Sequence, residues 1–149
     1  MYLQPLMKLQ INIGKPIAIG DIGRGSRSIG VVTGGMFEGE KLRGKVIPPG
    51  ADWVVIGTDQ IGEIDVRIVL TTDDGANIYV SYSGVLQFDD AMFSGRETQF
   101  GDTYFVTQVR FETGTEKYAW LNRVVAVAEG RAISGGVEYQ LYHCQPGGE

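Results

Sequence analysis

Asp65 and Arg67 have types and a spacing that could support acid–base chemistry. They stand two positions apart in EIDVRIVLTT (63–72), where they alternate with aliphatic residues, so in a strand they would share one face. If that face lines a cavity, Asp65 would be a general base beside a cation, with a pKa set by its surroundings. If it meets solvent, the two form an ion pair of little energetic value. The aliphatic alternation alone favours the outward alternative.

The segment RFETGTEKYAWLN (110–122) carries a second group of functional side chains. We predict two strand ends joined by a turn, with these polar and aromatic positions: Arg110, Glu112, Tyr118, Trp120 and Asn122. A carboxylate, an amide and an aromatic platform could bind a flat, oxygenated molecule. Because Asn is uncommon in strands, Asn122 beside Trp120 indicates an inward amide. The alternative is that Trp120 packs in the core and Asn122 caps a bend.

Asp52 is a third candidate acid, and Trp53 follows it directly after PPG at 48–50. The simplest role for Asp52 is a hydrogen bond to the backbone of a turn predicted at 48–52. The simplest role for Trp53 is core packing. Asp52 is kept as an alternative to Asp65 for the general base.

Motifs for nucleotide, metal and hydrolase chemistry are missing. The glycine-rich GDIGRGSRSIG (20–30) has neither the G-x-G-x-x-G spacing nor a P-loop ending. No G-x-S-x-G occurs, and His143, the one histidine, alternates with Leu141 and Tyr139, as a packed strand residue would. One Cys (Cys144) and one His cannot supply the about four ligands of an ordinary zinc site. We therefore predict no metal and no cofactor.

Charge and composition narrow the choice of partners. The net charge of −5 and a pI near 4.9 disfavour nucleic acid, which needs a basic surface. No apolar run approaches the about 20 residues of a membrane span. The start, MYLQPLMKLQINIG, lacks the long apolar stretch of a signal peptide, and a lone cysteine fits a reducing compartment. We expect a cytoplasmic protein that binds a small molecule and neither nucleic acid nor membrane.

Two-residue periodicity dominates the chain and predicts an all-β fold. Candidate strands are 6–14, 17–22, 28–37, 42–47, 52–57, 63–72, 77–88, 103–112, 117–130 and 137–144. Turn residues separate them, among them many of the 22 glycines. We predict one domain, residues 1–149, folded as a single closed antiparallel β-barrel of about eight to ten strands. Closure removes exposed edges and could leave room for a ligand.

The connection FDDAMFSGRETQFGD (88–102) has no clear periodicity. Unstructured connections of this length are uncommon and often functional. One hypothesis is a lid whose Met92, Phe93 and Phe100 cover the mouth of the barrel. The alternatives are a surface loop pinned by its aromatic residues, and a dimer contact.

Three longer motifs are specific in their order and spacing. TGGMFEGEKLRGKVIPPGADW (33–53), DVRIVLTTDDGANIYV (65–80) and YFVTQVRFETGTEKYAWLNRVVAVAEGR (104–131) resemble the domain-of-unknown-function family 3237, also called uncharacterised protein family 0311. The resemblance runs from about residue 15 to residue 142. Its matching positions are Phe37, Glu38, Asp52, Trp53, Asp65, Arg67, Glu112, Tyr118, Trp120 and Asn122. Val106 departs from it, since relatives often have Arg there, which indicates a less charged substrate.

The resemblance implies a closed antiparallel barrel and cofactor-free acid–base chemistry, such as ring closure or addition of water or an alcohol next to a carbonyl. It also moves the expected positions of Asp65, Glu112 and Asn122 to the cavity side. We therefore predict a lyase, hydratase or cyclase acting on an apolar carbonyl-bearing or phenolic molecule. The alternatives are a non-catalytic carrier or sensor of an apolar metabolite, and a packed structural barrel. A homodimer is expected, since two-fold dimers are the commonest closed assembly.

In the predicted site, Asp65 or Asp52 removes a proton and Glu112 returns it. Arg67 and Asn122 stabilise the developing enolate oxygen. The remaining substrate-binding residues are Phe37, Trp53, Tyr82, Tyr118 and Trp120.

Overall fold

Nine strands and two short helices make up the protein in a computed structural model, which describes residues 1–148. The strands are β1 (Tyr2–Ile13), β2 (Ile17–Asp21), β3 (Ser26–Glu38), β4 (Arg43–Ile56), β5 (Ile61–Thr72), β6 (Asn77–Gln87), β7 (Phe105–Glu112), β8 (Ala126–Ile133) and β9 (Gly136–Gln145). A one-turn α-helix, α1 (Asp90–Phe93), follows β6, and a 3₁₀ helix (Glu116–Arg123) follows β7.

Eight of these strands close into an antiparallel barrel, which confirms the predicted fold. Their order is β1-β9-β8-β7-β6-β5-β4-β3, and β1 pairs with β3 to complete the ring, for example at Leu9 opposite Phe37. The additional strand β2 lies outside the ring and pairs with the first part of β3. Closure leaves the ring itself with no open edge.

Alternation of apolar and polar residues sets which side chains fill the barrel. Along β5, Ile64, Val66, Ile68 and Leu70 are buried, while the residues between them, apart from the half-buried Val69, are exposed. On β7, Phe105, Val109 and Phe111 are buried in the same way. These strands therefore have one apolar face toward the interior and one polar face toward water, as period-two alternation requires.

The predicted turn at 48–52 is wrong, because the candidate strands 42–47 and 52–57 merge into one strand, β4 (Arg43–Ile56). The ladder between β4 and β5 breaks after Ile47 and resumes at Ala51. Proline has no N–H to donate to a ladder, so Pro48 and Pro49 interrupt the pairing without ending the strand.

The predicted hairpin at 110–122 is also corrected. β7 ends at Glu112, and the next residues form the 3₁₀ helix instead of a second strand. Leu121 (0% exposed) and Tyr118 (5%) of this helix are buried in the core. The helix therefore closes one end of the barrel, which we call the closed end.

The segment 88–102 lies at the opposite end, which we call the cavity end, and it contains α1. The Asp89 carboxylate caps this helix by accepting a hydrogen bond from the Met92 backbone N–H at 2.9 Å. Farther along, Thr98 is buried and exchanges hydrogen bonds with Ala132 of β8. The segment is thus tied to the barrel wall. No helix in residues 1–148 is both long and apolar enough to span a bilayer.

Candidate active site

A partly enclosed cavity of about 270 Å³ occupies the cavity end of the barrel. Most of its wall is aliphatic and aromatic side chains, among them Val54, Val66 and Leu86. Among residues 1–148, the titratable groups on the wall are Asp52, Tyr82 and Tyr139, and no Lys, Arg or His lines it. The cavity is therefore an apolar space into which one acid and two phenols project.

Asp52 reaches the cavity from the middle of β4. It lies opposite Gly30 of β3 and Val66 of β5, and Gly30 has no side chain with which to cover the carboxyl group. The Asp52 carboxylate accepts one hydrogen bond, at 3.2 Å, from the backbone N–H of Asp65. Within residues 1–148, this is the one hydrogen bond that the structure shows to the Asp52 carboxylate.

The pKa of Asp52 is raised from its ordinary value of 3.8 to about 7. Burial in the apolar wall is the largest cause, because low polarity disfavours the charged form. The hydrogen bond from the Asp65 backbone opposes this shift, and the negative charge of Asp65 adds to it. Asp52 can therefore exchange its proton near neutral pH, as a general acid or base must.

Tyr82 and Tyr139 lie close together in the same wall. Their rings meet edge to face, with centroids 5.2 Å apart and planes at 70°. Burial is the largest cause of the raised pKa of each hydroxyl. For Tyr82 the charge and hydrogen bond of Tyr139 raise the pKa further, whereas for Tyr139 the hydrogen bond with Tyr82 opposes the shift, and the charge of Asp52 adds to both. Both hydroxyls thus remain protonated at neutral pH and can donate hydrogen bonds.

Phe88 and Met92 from the segment 88–102 line the cavity. Phe93 does not line it: it is 56% exposed and stacks on Phe88 with ring centroids 5.2 Å apart. Phe100 lies beside Arg131, whose guanidinium carbon is 5.6 Å from the ring centroid. Of the three residues in the lid hypothesis, Met92 alone contacts the cavity.

The expected cavity-side position of Asp65 is wrong, and Arg67 lies outside with it. Both side chains are about half exposed, and their closest N···O distance is 3.8 Å. Trp53 is on the same outer face, with the Arg67 guanidinium 5.6 Å from its ring centroid. The cause is the alternation of side chains along β5. Because its aliphatic residues fill the interior, the residues between them must face out.

The expected cavity-side positions of Glu112 and Asn122 are wrong as well. Both are exposed near the closed end. The Asn122 amide accepts a hydrogen bond from the Thr113 N–H (2.8 Å) and donates one to the Thr113 carbonyl (2.9 Å). Glu112 follows the buried Phe111 on β7 and so points outward. Asn122 therefore holds the loop after β7, as the bend-capping alternative proposed.

Three other predicted binding residues, Phe37, Tyr118 and Trp120, do not line the cavity. Phe37 is buried (2% exposed) and the Tyr118 hydroxyl donates to Asp74 at 2.8 Å. Trp120 packs partly buried against the core, with the Lys41 ammonium 5.0 Å from its ring centroid. Of the predicted site residues, Asp52 and Tyr82 are the two that the fold brings into the cavity.

Tyr139 is a cavity residue that the sequence analysis did not select. A signal was present, since Tyr139 shares the inward face of β9 with the buried Leu141, and a buried tyrosine hydroxyl usually has a polar partner.

Within residues 1–148, no three His, Cys, Asp or Glu side chains come together as metal ligands would.

A family model described as "Protein of unknown function (DUF3237)" matches residues 1–144. A "UPF0311 protein" of Rhodopseudomonas palustris is 36% identical over 113 residues, covering 73% of this chain and 74% of that protein. A protein of Penicillium herquei named a hydroalkoxylation enzyme is 30% identical over 100 residues, covering 67% of this chain and 54% of that protein. The crystal structure of a β-barrel-like protein from Acinetobacter baumannii is similar, with a TM-score of 0.86, 33% identity, and coverage of 97% and 96%.

Proposed function

The chain belongs to the DUF3237 family, and from this premise we propose that it is an enzyme that performs acid–base chemistry in the barrel cavity without a cofactor. Asp52 is the group that moves the proton, and Tyr82 and Tyr139 hold the reacting oxygen. This proposal keeps the predicted reaction class of lyase, hydratase or cyclase. It places the general base at Asp52, which the sequence analysis gave as the alternative to Asp65.

The observation that carries the proposal is the position of Asp52. A carboxyl group in an apolar wall, with a pKa near 7, has both protonation states populated at neutral pH. A catalytic acid or base works best under that condition. A carboxyl group buried for stability alone would be expected to have a charged partner or several hydrogen bonds, whereas Asp52 has one backbone donor.

The two tyrosines supply hydrogen-bond donors, which an ionised carboxylate lacks. Because their hydroxyls stay protonated, they can donate to an oxygen that becomes negative during the reaction. Fixed donors in an apolar site stabilise such an oxygen far better than water-exposed donors do. Tyr82 and Tyr139 therefore take the role first assigned to Arg67 and Asn122, both of which lie outside the barrel.

A balanced reaction follows for a substrate with a hydroxyl group and an alkene conjugated to a carbonyl. Ionised Asp52 takes the hydroxyl proton while that oxygen bonds to the far alkene carbon. The alkene electron pair shifts toward the carbonyl oxygen, giving an enolate that the tyrosine hydroxyls hold. Asp52 then returns its proton to the enolate carbon, so the addition is complete and the carboxylate is regenerated. The reverse sequence is an elimination.

The relative in Penicillium herquei supports this class, since it is named a hydroalkoxylation enzyme. Hydroalkoxylation adds an oxygen–hydrogen bond across a carbon–carbon double bond, which requires one proton removed and one delivered. A single carboxyl group that titrates near neutrality can do both.

The substrate is proposed to be small and uncharged. The cavity volume of about 270 Å³ lies just below the roughly 300–1,000 Å³ usual for drug-sized ligands. In the part of the chain that the structure describes, no cationic side chain lines the cavity, so a carboxylate or phosphate on the substrate would be desolvated without a partner. The predicted homodimer is not needed for this chemistry and stays a prediction.

A non-catalytic carrier is the second candidate, because a largely apolar wall also suits storage of an apolar metabolite. The presence of a carboxyl group with a raised pKa favours the enzyme over the carrier.

The test begins with a thermal-shift screen of small enones and phenols, since a ligand of the native state raises its apparent stability. Compounds that bind are then incubated with wild type, Asp52→Asn and Asp65→Asn, and conversion is followed by mass spectrometry. The proposal expects turnover by wild type and by Asp65→Asn and none by Asp52→Asn, with all three binding the ligand. Equal turnover by Asp52→Asn would contradict it, and binding without conversion would favour the carrier.

A further inference from the structure

A row of three polar residues crosses the outer face of the barrel, away from the cavity. Arg67 of β5 lies directly opposite Ser81 of β6, and Ser81 lies directly opposite Arg110 of β7. Both arginines are exposed and Ser81 is half-buried between them. Register, and not loop geometry, therefore places two arginines on either side of one serine, on the same face of the sheet.

The spacing allows both arginines to reach the same ligand. Neighbouring strands are about 4.8 Å apart, so the two arginine Cα atoms are separated by about 10 Å. A ligand above Ser81 is within the length of either side chain. The surface there is a concavity of about 420 Å³, lined also by Asp65, Ser83, Gln108 and Val125.

The positive charge of the row is poorly neutralised. Arg67 has one acidic neighbour, Asp65, at 3.8 Å, and both side chains are about half exposed, so that contact is weak. Within residues 1–148, Arg110 has no carboxylate within 4.0 Å. An acidic protein thus has two arginines lining one concavity, with one acid, Asp65, beside Arg67.

Trp53 restricts the position of one arginine. The Arg67 guanidinium lies over the indole, 5.6 Å from the ring centroid, an arrangement that attracts a cation to the ring face. Trp53 belongs to β4, on the side of β5 away from Ser81, so Arg67 must turn from the indole toward β6 to bind a ligand above Ser81.

The geometry points to a binding site for the phosphoryl group of a phosphate monoester on the Arg67–Ser81–Arg110 row. In the proposed complex, Arg67 turns from Trp53 toward β6, so that two guanidinium forks approach the phosphoryl group from opposite sides and the serine hydroxyl from below. Three donor directions match the three free oxygens of a monoester, whereas a single guanidinium fork already satisfies a carboxylate. The site lies outside the barrel and does not depend on the proposed function.

The concavity is larger than an inorganic phosphate ion, and Val125, which is 51% exposed, lies on its rim. An organic group attached to the phosphate could pack there. A phosphate monoester should therefore bind more tightly than inorganic phosphate does.

The test is an NMR titration of the ¹⁵N-labelled chain at low ionic strength with inorganic phosphate, glycerol phosphate and acetate. The backbone N–H of Ser81 and the indole N–H of Trp53 report on the site, and the indole of Trp120 serves as an internal reference. Arg110→Gln removes one side of the row. Arg123→Gln is the matched control, because Arg123 is also exposed but lies on the 3₁₀ helix.

The expected result is saturable shifts of the Ser81 and Trp53 signals with both phosphates, strongest with glycerol phosphate, and little response to acetate. Arg110→Gln should weaken binding about tenfold, the effect of losing one charge-assisted contact, and Arg123→Gln should leave it unchanged. No saturation, an equal response to acetate, or an equal loss in both variants would overturn the proposal.

Discussion

The carboxylate of Asp52 accepts a hydrogen bond from the backbone N–H of Asp65 at 3.2 Å, while the side chain of Asp65 projects into solvent. Two acids on adjoining strands therefore have opposite surroundings, one apolar and one aqueous. The charge of Asp65 adds to the effect of burial on the pKa of Asp52. This contact connects the outer face to the cavity, and it makes Asp65 a natural control for every experiment on Asp52.

The stability of the protein should fall as the pH rises toward neutrality, and Asp52 should be a cause. Its pKa is about 7 in the folded chain and 3.8 ordinarily, so between these values the native state binds more protons than the unfolded state. The contribution is fully present below about pH 4 and is lost as the pH rises through about 7. That difference corresponds to at most about 4 kcal/mol.

Urea unfolding at about pH 5 and about pH 8 measures this dependence. Asp52→Asn should reduce the loss of unfolding free energy between the two conditions, and at the higher pH it should be more stable than wild type. Asp65→Asn should retain most of the loss. If the free energy of unfolding falls by the same amount in Asp52→Asn and in wild type between the two pH values, Asp52 is not a cause of the pH dependence.

Removal of either tyrosine hydroxyl should impair turnover more than binding. Tyr82→Phe and Tyr139→Phe each keep the ring and delete one donor to the developing oxygen anion, so kcat should fall about 10²-fold or more. The KM for a substrate from the screen should change little. Tyr79→Phe, at an exposed tyrosine on β6, is the control. A change in KM alone would assign the hydroxyls to substrate binding.

Met92→Ala tests whether α1 acts as a lid. Met92 lines the cavity, so shortening it should open the mouth and speed ligand dissociation, measured by stopped-flow displacement. Arg96→Ala is the matched control, because Arg96 lies on the same segment and is exposed. Equal dissociation rates in all three proteins would leave the segment as a surface connection.

The closed end should depend on Tyr118. Its hydroxyl donates to Asp74 at 2.8 Å, and Lys117 and Thr72 also contact that carboxylate. Tyr118→Phe should lower the free energy of unfolding by about 1 kcal/mol, measured by urea unfolding. The pKa of Asp74 is lowered most by the hydrogen bond from Lys117, and then by those from Thr72 and Tyr118. Ionised Asp74 therefore adds to the free energy of unfolding above about pH 4, and this contribution is lost in acid. Unchanged stability in Tyr118→Phe would contradict this role.

Strand alternation was enough to predict the barrel, because burial of one face imposes a period of two on β1, β5 and β7. The same alternation favours an outward position for Asp65, which is correct. The family resemblance instead predicted that Asp65 lies on the cavity side, which is wrong. Recurrence of a residue in a family does not specify a cavity position, as Asn122 shows by holding the Thr113 backbone.

The remaining errors arose from local signals that tertiary structure overrode. Pro-Pro-Gly at 48–50 is typical of a turn, yet the flanking strands pair on both sides of it and continue as β4. The apolar residues of 117–122 suit a strand, but Leu121 and Tyr118 can also fill the end of a barrel from a 3₁₀ helix. Tyr139 reaches the cavity through pairings distant in sequence, which one sequence does not display.

The most direct test of the proposed site is the pKa of Asp52 itself, measured from its side-chain carboxyl ¹³C shift across a pH titration. Asp65→Asn provides the assignment control and removes the neighbouring charge. The site as described predicts a midpoint near 7, lowered somewhat in Asp65→Asn. A midpoint near 4, the value of a solvated aspartate, would contradict the claim that this carboxyl group is a neutral-pH acid in an apolar cavity.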